Sequence, residues 1–135
     1  MSYIYLGSPY THSDPNVMEQ RYRAVREATA LLTRAEYTVY SPIVHYHDLA
    51  KHYVMPKDFA FWTKHNINML RHANLFAMLT LPGWADSKGL DWEYDYAIYS
   101  NLLVWKVSLE GIRSGEDLLK LAEGVREPHS ILGES

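Results

Sequence analysis

Glu93 is the residue of this chain best suited to covalent chemistry. It closes the stretch Ser87-Lys88-Gly89-Leu90-Asp91-Trp92-Glu93, which follows a short apolar run at residues 75–79 and precedes an amphipathic segment. A strand, a glycine-bearing turn and then a helix point backbone N–H groups at an anion and set a carboxylate within the first turn or so of the helix. Such a carboxylate can form a glycosyl ester and so divide a glycosidic cleavage into two easier steps. The helix N-terminus is expected to keep it ionised. Ser87 is placed both to cap the helix and to face an anion, while Gly89 lets the backbone approach a ligand. Asp91 and Asp95 read as capping or solvated carboxylates.

Gly7-Ser8-Pro9 is the second signal of this kind, at the end of the first apolar run. Gly7 permits close backbone approach and Ser8 adds a hydroxyl, which suits a phosphate or a ribose; a plain strand-ending turn is the competing reading. The tripeptide is not a GxGxxG fingerprint, so no dinucleotide is expected, and glycosyl-ester chemistry needs no cofactor. Tyr5, on the same strand, either orients Glu93 or packs in the core. His45, His47, His52 and Asp48 raise the question of a metal, with His45 and His47 on one side of an extended segment. No third ligand follows at a recognisable spacing, and no metal site is expected. In the milder reading, His45, Tyr46 or His47 walls a base pocket. Phe61 and Trp62 suit a core, and Trp62, which shares a helical face with Asn66, also suits stacking on a base. Arg21, on the first helix, joins the substrate-binding candidates.

The elements that must position these groups follow from hydrophobic periodicity. Residues 3–6 read as a buried strand, and a helix starts near Asp14 and Pro15 and ends around residues 34–36, with Met18, Tyr22, Val25, Thr29 and Leu32 on one face. Residues 37–40 form a second strand stopped by Ser41-Pro42, and a histidine- and tyrosine-rich loop runs to about residue 53. A helix follows from residue 56 to about 72, then a strand at 75–79 or 81, a helix at about 89–101 and a strand at 102–105. Residues 115–124 suggest one more short helix. The alternation argues a doubly wound α/β domain, with a parallel sheet of four to five strands and helices on both faces. In such a sheet both loops lie on one edge, so Gly7-Ser8 and Ser87-Gly89 are expected to converge on one ligand.

Composition sets the remaining bounds. At 135 residues and 47% hydrophobic content, one domain is expected over residues 1–126, with residues 127–135 as a flexible tail. A net charge of -3 supplies no basic field for a nucleic-acid polymer. With no cysteine, disulfides and thiolate chemistry are excluded. No apolar run approaches the roughly 18 residues of a membrane span, and no signal-peptide pattern opens the chain, so a cytoplasmic protein is expected. The 11 tyrosines and 4 tryptophans suit stacking on flat ligands or a subunit interface.

Four segments resemble the nucleoside 2-deoxyribosyltransferase superfamily, and in particular its branch of 2'-deoxynucleoside 5'-monophosphate N-glycosidases. They are Ile4-Tyr5-Leu6-Gly7-Ser8-Pro9, Tyr40-Ser41-Pro42-Ile43, the stretch at residues 66–74, and Ser87-Lys88-Gly89-Leu90-Asp91-Trp92-Glu93 followed by Ala97. The resemblance implies that Glu93 attacks C1' of a deoxyribose with Tyr5 positioning it. It matches Ser87 to a serine of the monophosphate glycosidases that is aspartate in the free-nucleoside transferases. An aspartate would accept from a free 5'-hydroxyl but repel a 5'-phosphate, which a serine and helix N–H groups accommodate. The resemblance thus implies a small-molecule nucleotide or nucleoside as partner and a homo-oligomer, dimeric or larger. Asn66 stands where the family usually has an aspartate that assists the leaving base, and an amide cannot deliver a proton at neutral pH. Either His65 or His45 substitutes, or activity is low, or the site is altered. The rival expectation is a catalytically silent nucleotide-binding module.

Overall fold

Four short strands form the centre of the computed structural model, which describes residues 3–56 and 58–122. They are β1 (Ile4–Gly7), β2 (Val39–Tyr40), β3 (Leu75–Leu79) and β4 (Leu103–Val107), all parallel in the order β2-β1-β3-β4. Six helices join and cover them: α1 (Pro15–Arg34), α2 (Pro42–His52), α3 (Phe59–Leu70), α4 (Lys88–Tyr99), α5 (Leu109–Ser114) and α6 (Glu116–Ala122). This is the expected doubly wound α/β architecture. Every residue of β1 and β3 is buried, as strands covered on both faces require. The strand order reverses between β1 and β3, which opens a crevice at their C-terminal ends.

Alternation along the strands divides the interior into two clusters. Ile4, Leu6, Leu75, Ala77, Leu79, Trp105 and Val107 meet Val25, Ala28 and Leu32 of α1 and Ile112 of α5. Tyr5, Phe76, Met78 and Val104 point the other way, against Leu70 of α3 and Leu90 and Ala97 of α4. Among the described residues no helix is long and apolar enough to cross a membrane.

The largest departure from the sequence reading is α2, which occupies the expected histidine-rich loop. Ser41 accepts from Val44 N–H at 3.1 Å and Pro42 takes the first helical position, so the dipeptide that stops β2 also starts a helix. β2 is shorter than expected because Tyr37 N–H is spent on the Leu32 carbonyl at 3.1 Å, after Glu36 turns at φ 73° to close α1. Likewise Leu102 N–H bonds to the Ala97 carbonyl at 2.8 Å, and β4 begins one residue later and runs to Val107. α3 starts at Phe59 rather than residue 56, capped by the Asp58 side chain. α4 starts at Lys88, and α5, which the sequence reading omitted, is capped by the Ser108 hydroxyl. The expected tail at residues 127–135 lies outside the described residues.

Candidate functional site

At the crevice, Glu93 is 8% exposed and accepts a hydrogen bond from the Tyr5 hydroxyl at 2.6 Å, within the buried interior. Strand alternation aims Tyr5 at the α4 face, and helical periodicity puts Leu90, Glu93 and Ala97 on the inner face of α4. Gly7 makes this approach possible: a Cβ there would lie 3.0 Å from Glu93 Oε1 and 2.8 Å from Phe76 Cε1. Burial pushes the Glu93 carboxyl up to about 7, against the opposing effect of the Tyr5 hydrogen bond. This corrects the expectation of a carboxylate held ionised by the helix N-terminus. Ser87 is the N-cap and Glu93 the sixth helical residue, beyond the first turn where the dipole acts, so desolvation wins. Burial, and then the charge of Glu93, raise the Tyr5 hydroxyl well above its ordinary value, so Tyr5 stays a donor.

The residues expected to face an anion are Ser8, just after β1, and Ser87 and Gly89, at the start of α4. Ser8 is 6% exposed and its hydroxyl has no hydrogen-bond partner, a buried polar group in want of one. Pro9 beside it is fully buried. Ser87 Oγ accepts from Leu90 N–H at 3.3 Å, so the hydroxyl serves as the cap. Gly89, at the second position of α4, has open space where a Cβ would stand. Arg21 does not present a free guanidinium: Nη1 donates to the carbonyls of Thr11 at 3.1 Å and Tyr10 at 3.5 Å, and Nη2 to that of Pro82 at 3.3 Å. It clamps the loop after β1 to the loop after β3. Gly83, at φ 88°, allows this clamp, since a side chain there would overlap Arg21.

The two histidines expected to face one way diverge, because residues two apart on a helix lie about 200° apart. His47 stacks on Tyr22 of α1 with ring centroids 3.8 Å apart, and its Nδ1 lies 2.8 Å from the Tyr10 hydroxyl. Its Nε2 lies 3.2 Å from Glu19 Oε1 without hydrogen-bond angles. His45 instead stacks on His65 of α3, centroids 5.5 Å apart and planes 5° off parallel. His65 Nε2 meets the Tyr40 hydroxyl at 3.1 Å, and the Tyr40 ring lies 5.8 Å from that of Tyr5. A contact chain therefore runs from Glu93 through Tyr5 and Tyr40 to His65 and His45. Trp62 extends it, half-buried with its ring 5.6 Å from His65 and 4.4 Å from Tyr46. Neither Trp62 nor Phe61 is core, and Phe61 is exposed. Asn66, next to His65, has a buried Oδ1 without a hydrogen-bond partner. Among the described residues no group of three or more histidine, aspartate and glutamate side chains could hold a metal.

Tyr40 is the site residue missed as a functional candidate. Its signal was its place at the C-terminal end of β2, in register with Tyr5. The model of a family described as a domain of unknown function, DUF1937, matches residues 2–108, a span that contains every residue of the site. No curated protein matches the chain.

Proposed function

We propose that this chain, which belongs to the DUF1937 family, binds a 2'-deoxyribonucleoside 5'-monophosphate and cleaves or exchanges its N-glycosidic bond through a Glu93 glycosyl ester. The observation that carries this reading is the buried Tyr5 to Glu93 hydrogen bond of 2.6 Å. Tyr5 holds one carboxylate oxygen, which leaves the other to attack C1'. A titration near 7 keeps a useful fraction of Glu93 ionised at neutral pH while leaving it short of water. The unpartnered Ser8 hydroxyl and the N-terminus of α4 suit the 5'-phosphate. Trp62 and His45 suit the flat base, and Asn66 Oδ1 suits a base N–H. The resemblance to nucleoside 2-deoxyribosyltransferases supports the same assignment, and assembly as a homo-oligomer belongs to the proposal.

Incubation with each common 2'-deoxyribonucleoside 5'-monophosphate is expected to release free base, and Glu93→Ala to abolish the release. Unchanged release by Glu93→Ala overturns the nucleophile. A second reading, a module that binds the nucleotide without cleaving it, is favoured by the amide at Asn66. Tight retention of an intact monophosphate with no base release would establish it.

A further inference from the structure

Cleaving an N-glycosidic bond leaves an electron pair on the base, and a poor leaving group needs a proton as it departs. Asn66 cannot give one. On the glycosidase reading of the site, we propose that His65 is the source of that proton and that the Tyr40 hydroxyl carries it to the departing base.

Three observations converge on this pair. Tyr40 Oη and His65 Nε2 are 3.1 Å apart, within reach for proton transfer. Tyr40 is half-buried with its ring 5.8 Å from that of Tyr5, and Tyr5 in turn holds Glu93, so one side chain separates Tyr40 from the nucleophile. Tyr40 titrates at about 12, through burial first and then the charge of Glu93, so it keeps its own proton and can pass one on only if another group replaces it. His65 is that group: burial, then the neighbouring His45, lower its affinity for a proton and make its imidazolium a better acid. The titratable groups facing His65 are Tyr40 from β2 and His45 from α2.

The step balances as follows. A Glu93 oxygen bonds to C1', the C1'–N bond breaks, and its electron pair goes to the base. The base takes the Tyr40 hydroxyl proton, and Tyr40 takes the Nε2 proton of the His65 imidazolium. Water then attacks C1', the C1'–Glu93 bond breaks and returns its electron pair to the carboxylate, the water proton passes through Tyr40 to His65, and 2-deoxyribose 5-phosphate leaves.

The test compares wild type, His65→Gln and Tyr40→Phe, each checked for folding by circular dichroism and melting. Two substrates are used: the monophosphate that the wild type turns over fastest, and 4-nitrophenyl 2-deoxyribofuranoside 5-phosphate, whose leaving group departs unprotonated. Both variants are expected to lose on the order of 10²-fold in kcat/KM, which reports the steps through ester formation, for base release and less than about threefold for nitrophenol release, since that step lacks acid assistance alone. Wild-type base release needs Glu93 ionised, with its carboxyl at about 7, and His65 protonated, with its titration below 6.5, so it should rise at low pH and fall above about 7, and His65→Gln should abolish the falling limb. Equal losses on both substrates, or no loss on either, overturn the proton relay while Glu93-dependent turnover persists. If the wild type releases neither leaving group, or Glu93→Gln releases both at the wild-type rate, the glycosidase reading falls and the relay falls with it.

Discussion

The two faces of the sheet are built from alternate residues of the same strands yet have opposite characters. The buried residues of the face under α1 and α5 are aliphatic apart from Trp105, with Ile4, Leu6, Val25, Leu32 and Leu79 closed against one another. The face under α3 and α4 holds Tyr5, Tyr40 and Phe76 around a buried Glu93. Burying that carboxylate opposes its ionisation and pushes it up to about 7. A single strand can thus anchor the fold through Ile4 and Leu6 and carry reactive chemistry through Tyr5, because the pleat separates the two roles. Stability should reside on the first face and activity on the second.

Substitutions on each face can break that division. Glu93→Ala is expected to cost on the order of 10⁴-fold or more in base release, as loss of a nucleophile does, with the fold retained by circular dichroism. Leu32→Ala, on the opposite face, should cost about 2–5 kcal/mol in urea unfolding and leave turnover per folded molecule unchanged. Should Leu32→Ala also slow turnover while folded, the faces are not independent.

Glu93→Gln sharpens the contrast within the reactive face. The unfolded chain releases the Glu93 proton near 4.5, whereas the folded chain holds it to about 7. The stability due to this group is therefore complete below 4.5 and lost as pH rises through about 7. Glu93→Gln should remove about 3 kcal/mol of the wild-type decline between pH 4.5 and 8, read by urea unfolding at both values. The smallest effect expected is that of Tyr5→Phe. Without the Tyr5 donor Glu93 holds its proton harder, and the rising limb of the rate profile should move about one unit to higher pH.

Much of this division is legible in the residues themselves. The apolar runs at β1 and β3 and the cap at Ser87 give away the strands, the turn and the helix that bring Tyr5 to Glu93. Burial is less legible, because the ionisation of Glu93 depends on Gly7, Phe76 and Leu90 closing around it, and those contacts span 86 residues of chain. The histidines were misplaced for a local reason: Ser41-Pro42 signals both the end of a strand and the start of a helix, and taking only the first turned α2 into a loop. Once the helix is in place, His45 falls to α3 and His47 to α1, and Tyr40 gains a histidine neighbour that no spacing along the chain announces.

Covalent trapping tests the central claim most directly. A 2'-deoxy-2'-fluoroarabinonucleoside 5'-monophosphate bearing an electron-poor base slows both chemical steps by opposing positive charge at C1', while the better leaving group speeds formation of the ester relative to its hydrolysis, so the ester accumulates. After incubation, mass spectrometry of the digested protein is expected to show one fluoropentose phosphate on the peptide carrying Glu93, absent from Glu93→Gln. Label on another residue, or release of the base with the Glu93 peptide unlabelled, would contradict the assignment of Glu93 as the nucleophile.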